Sequence, residues 1–213
     1  NRLGLKIMKF KAIAKASLAL GMLATGVITS NTQSVQAKTE VKQQSESELK
    51  HYYNKPILER KNVTGYKYTE HGKDYIDVIV DNQYSQIALL GSDKDKFKDG
   101  ENSNIDVFIL REGDSRQATN YSIGGVTKSN SVQYIDYINT PILEIKKGNE
   151  DVLKDFYYIS KEDISLKELD YRLRERAIKQ HGLYSNGLKQ GQITITMNDG
   201  TTHTIDLSQK LEK

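Results

Sequence analysis

Hydrophobic positions recur with the periods of strands and of helices in this chain, and the order in which those elements follow one another divides it. Between residues 64 and 138 the apolar residues come in short runs separated by polar turns. Thr64–Thr69, Tyr75–Val80, Gln86–Leu90, Ile105–Leu110, Tyr121–Val126 and Tyr134–Ile138 have the length and the β-branched or aromatic content of strands. His71-Gly72, Asp81-Asn82, Asp99-Gly100 and Glu112-Gly113 punctuate them as turns. Short strands at this spacing predict a small β-barrel. Asn139-Thr-Pro141 interrupts the pattern, and the proline restricts its neighbour, so this stretch reads as a linker.

Beyond the linker the order changes. Ile142–Lys146 reads as a strand, Gly148–Asp151 as a turn and Phe156–Ile159 as a second strand. Gln192–Met197 and Thr202–Leu207 form a hairpin around Asn198-Asp199-Gly200. Between the two strand pairs lies a helix. Ser165 and Glu168 have the spacing of a capping box. Leu166, Leu169, Leu173 and Ala177 then fall on one face, and Gly182 supplies the positive φ at which a helix stops. Lys167, Asp170, Arg174 and Arg176 lie off that apolar stripe. Strand, strand, helix, strand, strand predicts a sheet crossed by one helix. Near the start, Glu46–Asn54 reads as a short helix with Leu49, Tyr52 and Tyr53 facing inward, ended by Pro56.

The first 37 residues follow a different logic. Met8-Lys-Phe-Lys-Ala-Ile-Ala-Lys15 is basic, Ala16–Thr29 is mostly apolar, and Val35-Gln36-Ala37 places small residues where a signal peptidase inspects the chain. The apolar run falls short of the roughly 20 residues that span a bilayer, so residues 1–37 read as a secretory signal peptide rather than an anchor. Residues 38–45 are polar and read as a flexible tail. The leader also changes the meaning of the net charge of +3. Arg2, Lys6, Lys9, Lys11 and Lys15 all lie in it, without an acid. The remainder is therefore slightly acidic and has no bulk basic field for nucleic acid. With no cysteine, disulfides, thiol nucleophiles and cysteine-ligated zinc are excluded.

Candidate chemistry is sparse. The four histidines, His51, His71, His181 and His203, show no helical zinc spacing. His203 and Asp206 are three apart on a strand and so point to opposite faces, which removes the one metal candidate. His181, at a helix C-terminus, suits the helix dipole. There is no G-x-S-x-G elbow. Gly124-Gly125 reads as a tight turn more readily than as an anion nest. Tyr66, Tyr68 and Tyr75 would suit single-stranded nucleic acid only on a basic face, and core packing accounts for them as well. Arg172, Arg174, Arg176 and Lys179 form a basic helix surface mixed with Glu168, Asp170 and Glu175; a solvated face with i,i+4 pairs explains it, and a docking site for acidic groups is the functional alternative. No catalytic, cofactor or metal residue is assigned. Arg172, Arg176 and Lys179 are kept as partner-binding candidates.

One stretch carries a resemblance. Lys161 and Ile164, then Leu169, Asp170 and Arg174, then Leu183 and Tyr184 are similar to the helix signature of the staphylococcal and streptococcal superantigen toxins, Lys-x-x-Ile, Leu-Asp-x-x-x-Arg, Leu-Tyr. Ala177 stands where that signature has leucine. Ile123-Gly-Gly-Val-Thr127 resembles the toxins' Tyr-Gly-Gly-Val-Thr, with Ile123 replacing tyrosine. The run from Ile164 to Asp170 is most like the staphylococcal superantigen-like proteins. This resemblance implies an α+β chain, mainly β: an OB-fold barrel over residues 46–138, then a β-grasp domain over 139–213. Family members continue past the position of Lys213 into a closing strand, so the β-grasp domain is expected to be incomplete, with its last strand missing. The resemblance further implies a secreted, non-enzymatic exotoxin that binds and blocks host immune proteins or receptors. No cofactor, no nucleic acid and no membrane association after leader cleavage are expected. Some relatives bind sialylated glycans near the strand before the helix. Tyr157–Lys161 lacks their threonine-bearing pattern, so a glycan site is not carried over. A true superantigen bridging MHC class II and the T-cell receptor, or a secreted hydrolase, are the alternatives.

Overall fold

The structure is a computed structural model that describes residues 43–114, 118–129, 141–157, 164–196 and 202–211. The expected leader, most of the tail, the strand Tyr134–Ile138, most of the linker, the segment from residue 158 to Lys161 and the turn Asn198-Asp199-Gly200 lie outside these residues.

Six strands build the first sheet: β1 (Ile57–Glu70), β2 (Lys73–Val80), β3 (Gln83–Ala88), β4 (Gly100–Leu110), β5 (Thr119–Ile123) and β6 (Val126–Lys128). Their order is β5-β3-β2-β1-β4-β6. All neighbours run antiparallel except β3 and β5. A bridge between Arg111, just past β4, and Ser122 of β5 joins the two sides, so that β1, β2, β3, β5 and β4 close a ring. β1 begins at Ile57, well before the expected Thr64; after Ile57 and Leu58 the exposed polar stretch Glu-Arg-Lys-Asn interrupts its apolar residues. Register shifts between Arg60 and Gly65 bend it around the ring.

The expected strand Tyr121–Val126 is in fact two strands. At Gly124-Gly125 the chain leaves β3 and crosses to β4: the Gly124 N–H donates to Ala88 O at 2.7 Å, and Gly125 O accepts from the Phe108 N–H at 2.7 Å. Gly125 has φ +94°, and a Cβ there would lie 2.1 Å from Phe108 O, so no larger residue fits.

The second sheet has the order β10-β9-β7-β8, from β7 (Ile142–Lys147), β8 (Glu150–Phe156), β9 (Gln190–Thr196) and β10 (Thr202–Asp206). Here the expected boundaries of β8 are corrected. The turn is only Gly148-Asn149, and the strand starts at Glu150 rather than Phe156. Glu-Asp-Val-Leu-Lys-Asp reads as polar because β8 pairs only with β7 among the described residues and is largely exposed. Helix α2 (Leu166–His181) packs its apolar stripe against this sheet. Ser165 accepts from the Glu168 N–H at 3.1 Å, and Gly182, at φ +68°, ends the helix. Helix α1 (Glu46–Tyr52) has a complete capping box between Ser45 and Glu48.

Among the described residues the buried apolar side chains form two clusters. One fills the barrel with Ile76, Val78, Ile87, Phe97, Ile105 and Val107 among others. The other lies under α2, where Leu169 and Leu173 meet Leu143, Ile145, Ile193 and Ile195. Leu49, Tyr52 and Tyr53 join this second cluster, as do Phe108 and Leu110 from β4. Helix α1, expected as part of the barrel half, thus places its side chains in the core around α2.

Candidate functional site

Helix α2 presents two charged faces, and the sequence reading distinguished them incorrectly. Asp170 and Arg174, expected on a solvated face of mixed charge, and Lys167, expected off the apolar stripe, are fully buried. A helix on a sheet is covered over more than its apolar stripe once α1, β4 and the segment after β10 also pack on it. That covering is a tertiary effect which helical periodicity does not report.

The buried face is a polar network with every partner in place. Arg174 Nε donates to Asp170 Oδ1 at 2.6 Å, one helical turn back. Its Nη1 donates to Tyr184 Oη at 2.7 Å, Leu207 O at 3.1 Å and Gln209 O at 2.7 Å, and Nη2 donates to Asp206 O at 3.1 Å. The guanidinium lies 4.5 Å from the centre of the Tyr53 ring, and Tyr53 Oη donates to Asp170 Oδ2 at 2.7 Å. Tyr184 Oη in turn donates to Leu207 O at 2.7 Å. Burial works hardest against the charge on Arg174, but Asp170, Tyr53 and Tyr184 together more than offset it and hold the guanidinium protonated. Burial pushes the Tyr53 phenol well up and that of Tyr184 to about 12, against the opposing pull of Arg174. Asp170, Arg174 and Tyr184 are the polar members of the signature among the described residues. The structure brings them together as a clamp that ties α1 and the segment after β10 to α2.

A second knot lies at the joint with the barrel. Glu112, just past β4, accepts from Tyr52 Oη of α1 and pairs with Lys210 Nζ at 2.9 Å and Lys167 Nζ at 3.7 Å. Lys167 Nζ also donates to Tyr52 Oη. Burial lowers the Lys167 pKa, partly offset by Glu112. Nothing in the spacing of Glu112, Lys167 and Lys210 announces this meeting.

The three candidate partner-binding residues lie on the outer face of α2. Arg172 Nε donates to Glu168 Oε1 at 2.8 Å, and its Nη2 reaches Glu59 Oε1 on β1 at 3.0 Å. Arg176 Nε donates to Gln180 Oε1 at 3.0 Å, and its guanidinium lies 4.5 Å from the centre of the Tyr157 ring. Lys179 Nζ pairs with Glu175 Oε1 at 2.6 Å. All three cations are held in intramolecular contacts, most of them one helical turn apart.

The histidines are dispersed. His51 Nε2 lies 3.0 Å from Asp114 Oδ1, which Lys55 also reaches at 2.6 Å. His181 Nε2 lies 3.0 Å from Asp155 Oδ2. His203 is exposed on β10, and the Asp206 carboxylate accepts from the Ser208 N–H at 2.8 Å. Among the described residues no group of three or more His, Cys, Asp or Glu side chains is placed to hold a metal ion. The Gly124 N–H is already engaged by Ala88 O, so the glycine pair serves as a strand crossover.

Tyr66, Tyr68 and Tyr75 are not core residues. They lie on the outer face of β1 and β2, with Tyr66 59% exposed. Tyr68 and Tyr75 stack with ring centres 5.6 Å apart. The groups around them are acidic and amide: Tyr68 Oη donates to Asp77 Oδ1 at 3.2 Å and accepts from Gln86 Nε2 at 2.6 Å, and Tyr84 Oη donates to Asp77 Oδ2.

Comparison with known proteins agrees with this arrangement. Residues 47–130 match the staphylococcal superantigen-like OB-fold domain. Residues 138–213 match the staphylococcal/streptococcal toxin β-grasp domain. The chain belongs to the staphylococcal superantigen-like family. It is 93% identical over 206 residues to staphylococcal superantigen-like 1 of Staphylococcus aureus strain Newman, covering 97% of this chain and 91% of that protein. It is 42% identical over 214 residues to superantigen-like 5 of the same strain, covering 96% and 91%. Among solved structures, an exotoxin 6 from Staphylococcus aureus subsp. aureus Mu50 is similar at 87% identity and a TM-score of 0.65, over 80% of this chain and 89% of that one. A crystal structure of superantigen-like 5 complexed with sialyl Lewis X is similar at 35% identity and a TM-score of 0.63, over 79% and 89%. The fold is therefore an OB-fold barrel followed by a β-grasp domain, and the family is one of superantigen-like toxins rather than of enzymes.

Proposed function

We propose that this protein is a secreted, non-enzymatic exotoxin that docks onto host immune proteins and blocks them by occupying their surfaces. The observation that carries this reading is how the chain uses its most reactive groups. Arg174, Asp170, Lys167 and Tyr53 are sealed from solvent and bonded to one another or to the backbone, so they act as scaffold and leave recognition to the outer faces. Membership of the superantigen-like family supports the same conclusion. The leader at residues 1–37 supports export, and no helix among the described residues is long and apolar enough to cross a membrane. Arg172, Arg176 and Lys179 remain the candidate contacts on α2. No cofactor, metal or nucleic acid takes part.

A sialylated glycan is the second candidate partner, because the superantigen-like 5 structure is complexed with sialyl Lewis X. The protein partner comes first, because Tyr157–Lys161 lacks the threonine-bearing pattern of the glycan-binding branch.

Capture from serum and from detergent-solubilised leukocyte membranes, with and without sialidase, tests the reading. Retention of an immune protein after sialidase supports it; retention lost after sialidase moves the assignment to a glycan. Arg176→Glu with Lys179→Glu weakens capture if the α2 face contributes. T-cell proliferation at low dose would overturn the blocking reading in favour of a true superantigen. Hydrolysis abolished by His181→Ala or His203→Ala, with the fold intact, would overturn it in favour of an enzyme.

A further inference from the structure

The outer face of β1, β2 and β3 carries a concentration of aromatic side chains that the fold does not use. Strand alternation sends Ile76, Val78 and Ile87 into the barrel core, so their neighbours Tyr75, Asp77, Ile79, Tyr84 and Gln86 point outward. In register with them on β1 is Tyr66. Its cross-strand partner on β2 is Asp77, and its partner on β4 is Glu101. Directly opposed residues have Cβ atoms about 5 Å apart, so a carboxylate stands on each side of one ring. Tyr66 is 59% exposed, Ile79 is 70% exposed, and Glu101 is exposed. The Asp77 carboxylate is held in place by the Tyr68 and Tyr84 hydroxyls.

We infer that Tyr66, between Asp77 and Glu101, is a seat for a guanidinium or ammonium group presented by a partner protein. The ring face attracts a cation, the two carboxylates pair with it, and Ile79 covers its aliphatic stem. The same charges oppose the alternatives: phosphate or sialic acid brought to this face would meet Asp77 and Glu101. Outer barrel strands of this kind commonly bind oligonucleotides or sugars, and here the side chains select the opposite charge. Tyrosine is also suited to docking, since it offers a large contact area with few torsions to freeze. The inference rests on the reading that the chain works by docking to host proteins.

The test uses the full chain and two capped peptides, hexa-arginine and hexa-citrulline, which have nearly the same shape and differ in charge. Amide NMR and calorimetry at low salt read the binding. Hexa-arginine should shift the amides around Tyr66, Asp77 and Glu101, and hexa-citrulline should leave them unmoved. Tyr66→Ala and Glu101→Gln should each weaken hexa-arginine binding by about two- to fivefold. Tyr66→Leu keeps apolar bulk without the ring and should weaken it as Tyr66→Ala does. Equal binding of both peptides, indifference to all three substitutions, or stronger shifts of these amides by oligothymidylate would overturn the seat. Loss of the seat with immune-protein capture intact refutes this inference alone; intact peptide binding without any capture refutes the docking reading instead.

Discussion

Inside the barrel, Ile76, Val78, Ile87, Ile105 and Val107 meet one another, and among the described residues no charged side chain of the barrel strands is buried with them. Under α2, Leu169 and Leu173 share their surroundings with Tyr53, Tyr184 and the Asp170–Arg174 pair. The buried charged side chains among the described residues, Lys167, Glu168, Asp170 and Arg174, all belong to α2. Aliphatic contacts are tolerant, because any neighbour of similar volume packs about as well. A guanidinium with bonds to named carbonyls admits far fewer arrangements. The barrel is therefore held by volume, and the β-grasp core by direction as well. The clamp specifies which segments arrive there: the residue after α1 through Tyr53, and residues 206–209 through their carbonyls.

The largest expected contrast comes with alkali. The Tyr52, Tyr53 and Tyr184 phenols have folded pKa values raised above the ordinary 10.0, chiefly by burial. The folded state then holds protons that the unfolded state gives up. Their contribution is complete below pH 10.0 and is lost as pH rises through the folded values, that of Tyr184 at about 12. Lys167, lowered by burial below 10.5, works the other way and costs stability at neutral pH. Its loss of a proton gives a modest gain as pH approaches 10.5. Circular dichroism and phenolate absorbance should show unfolding that sets in above pH 10, with amide protection around α2 failing before that of β2 and β4. Simultaneous loss in both would erase the distinction.

Next in size is Arg174→Ala. It leaves the Asp170 carboxylate buried without its partner and should cost about 3–5 kcal/mol in urea unfolding. A loss below about 1 kcal/mol would mean that the clamp is ornamental. Glu112→Gln removes the charge facing Lys167 and Lys210, with an expected loss of about 1–3 kcal/mol. Gly125→Ala, forced against Phe108 O, should cost a similar ~1–3 kcal/mol, showing that the barrel too has a position where shape is exacting. Ile76→Val in the barrel should cost only about 0.5–1.5 kcal/mol. Tyr66→Ala, on an exposed face, should change stability by no more than about 0.5 kcal/mol, which keeps it clean as a binding probe.

The same contrast explains what the sequence revealed. The strands β2, β4 and β9 and both helices were legible because burial on one side leaves a period in the residues. β8 was misplaced because an exposed strand paired on one side leaves none, and β1 was started late because the exposed residues 59–62 interrupt its apolar positions. The motif Asp170-x-x-x-Arg174 was visible as a signature, but its direction was not: four-residue spacing puts both charges on one face without saying what covers that face. The Glu112–Lys167–Lys210 knot left no local trace, since its members are 55 and 43 residues apart. For Tyr66, Tyr68 and Tyr75 the sequence left core packing and an outward aromatic face both open, and strand alternation against the buried Ile76 and Val78 settles it outward.

The guanidinium of Arg174 carries a consequence for the order of folding. Its carbonyl partners lie 32 to 35 residues downstream, while Tyr53, which completes the far side of Asp170, lies 117 residues upstream of that aspartate. A nascent or threading chain that has emerged only as far as α2 has one flank of this cage and lacks the other, so the cation stays in water and the helix stays loosely docked. Loop closure over such separations is slow. The α2 core can therefore lock only after the strands beyond α2 have been made, which places its closure among the last steps of folding.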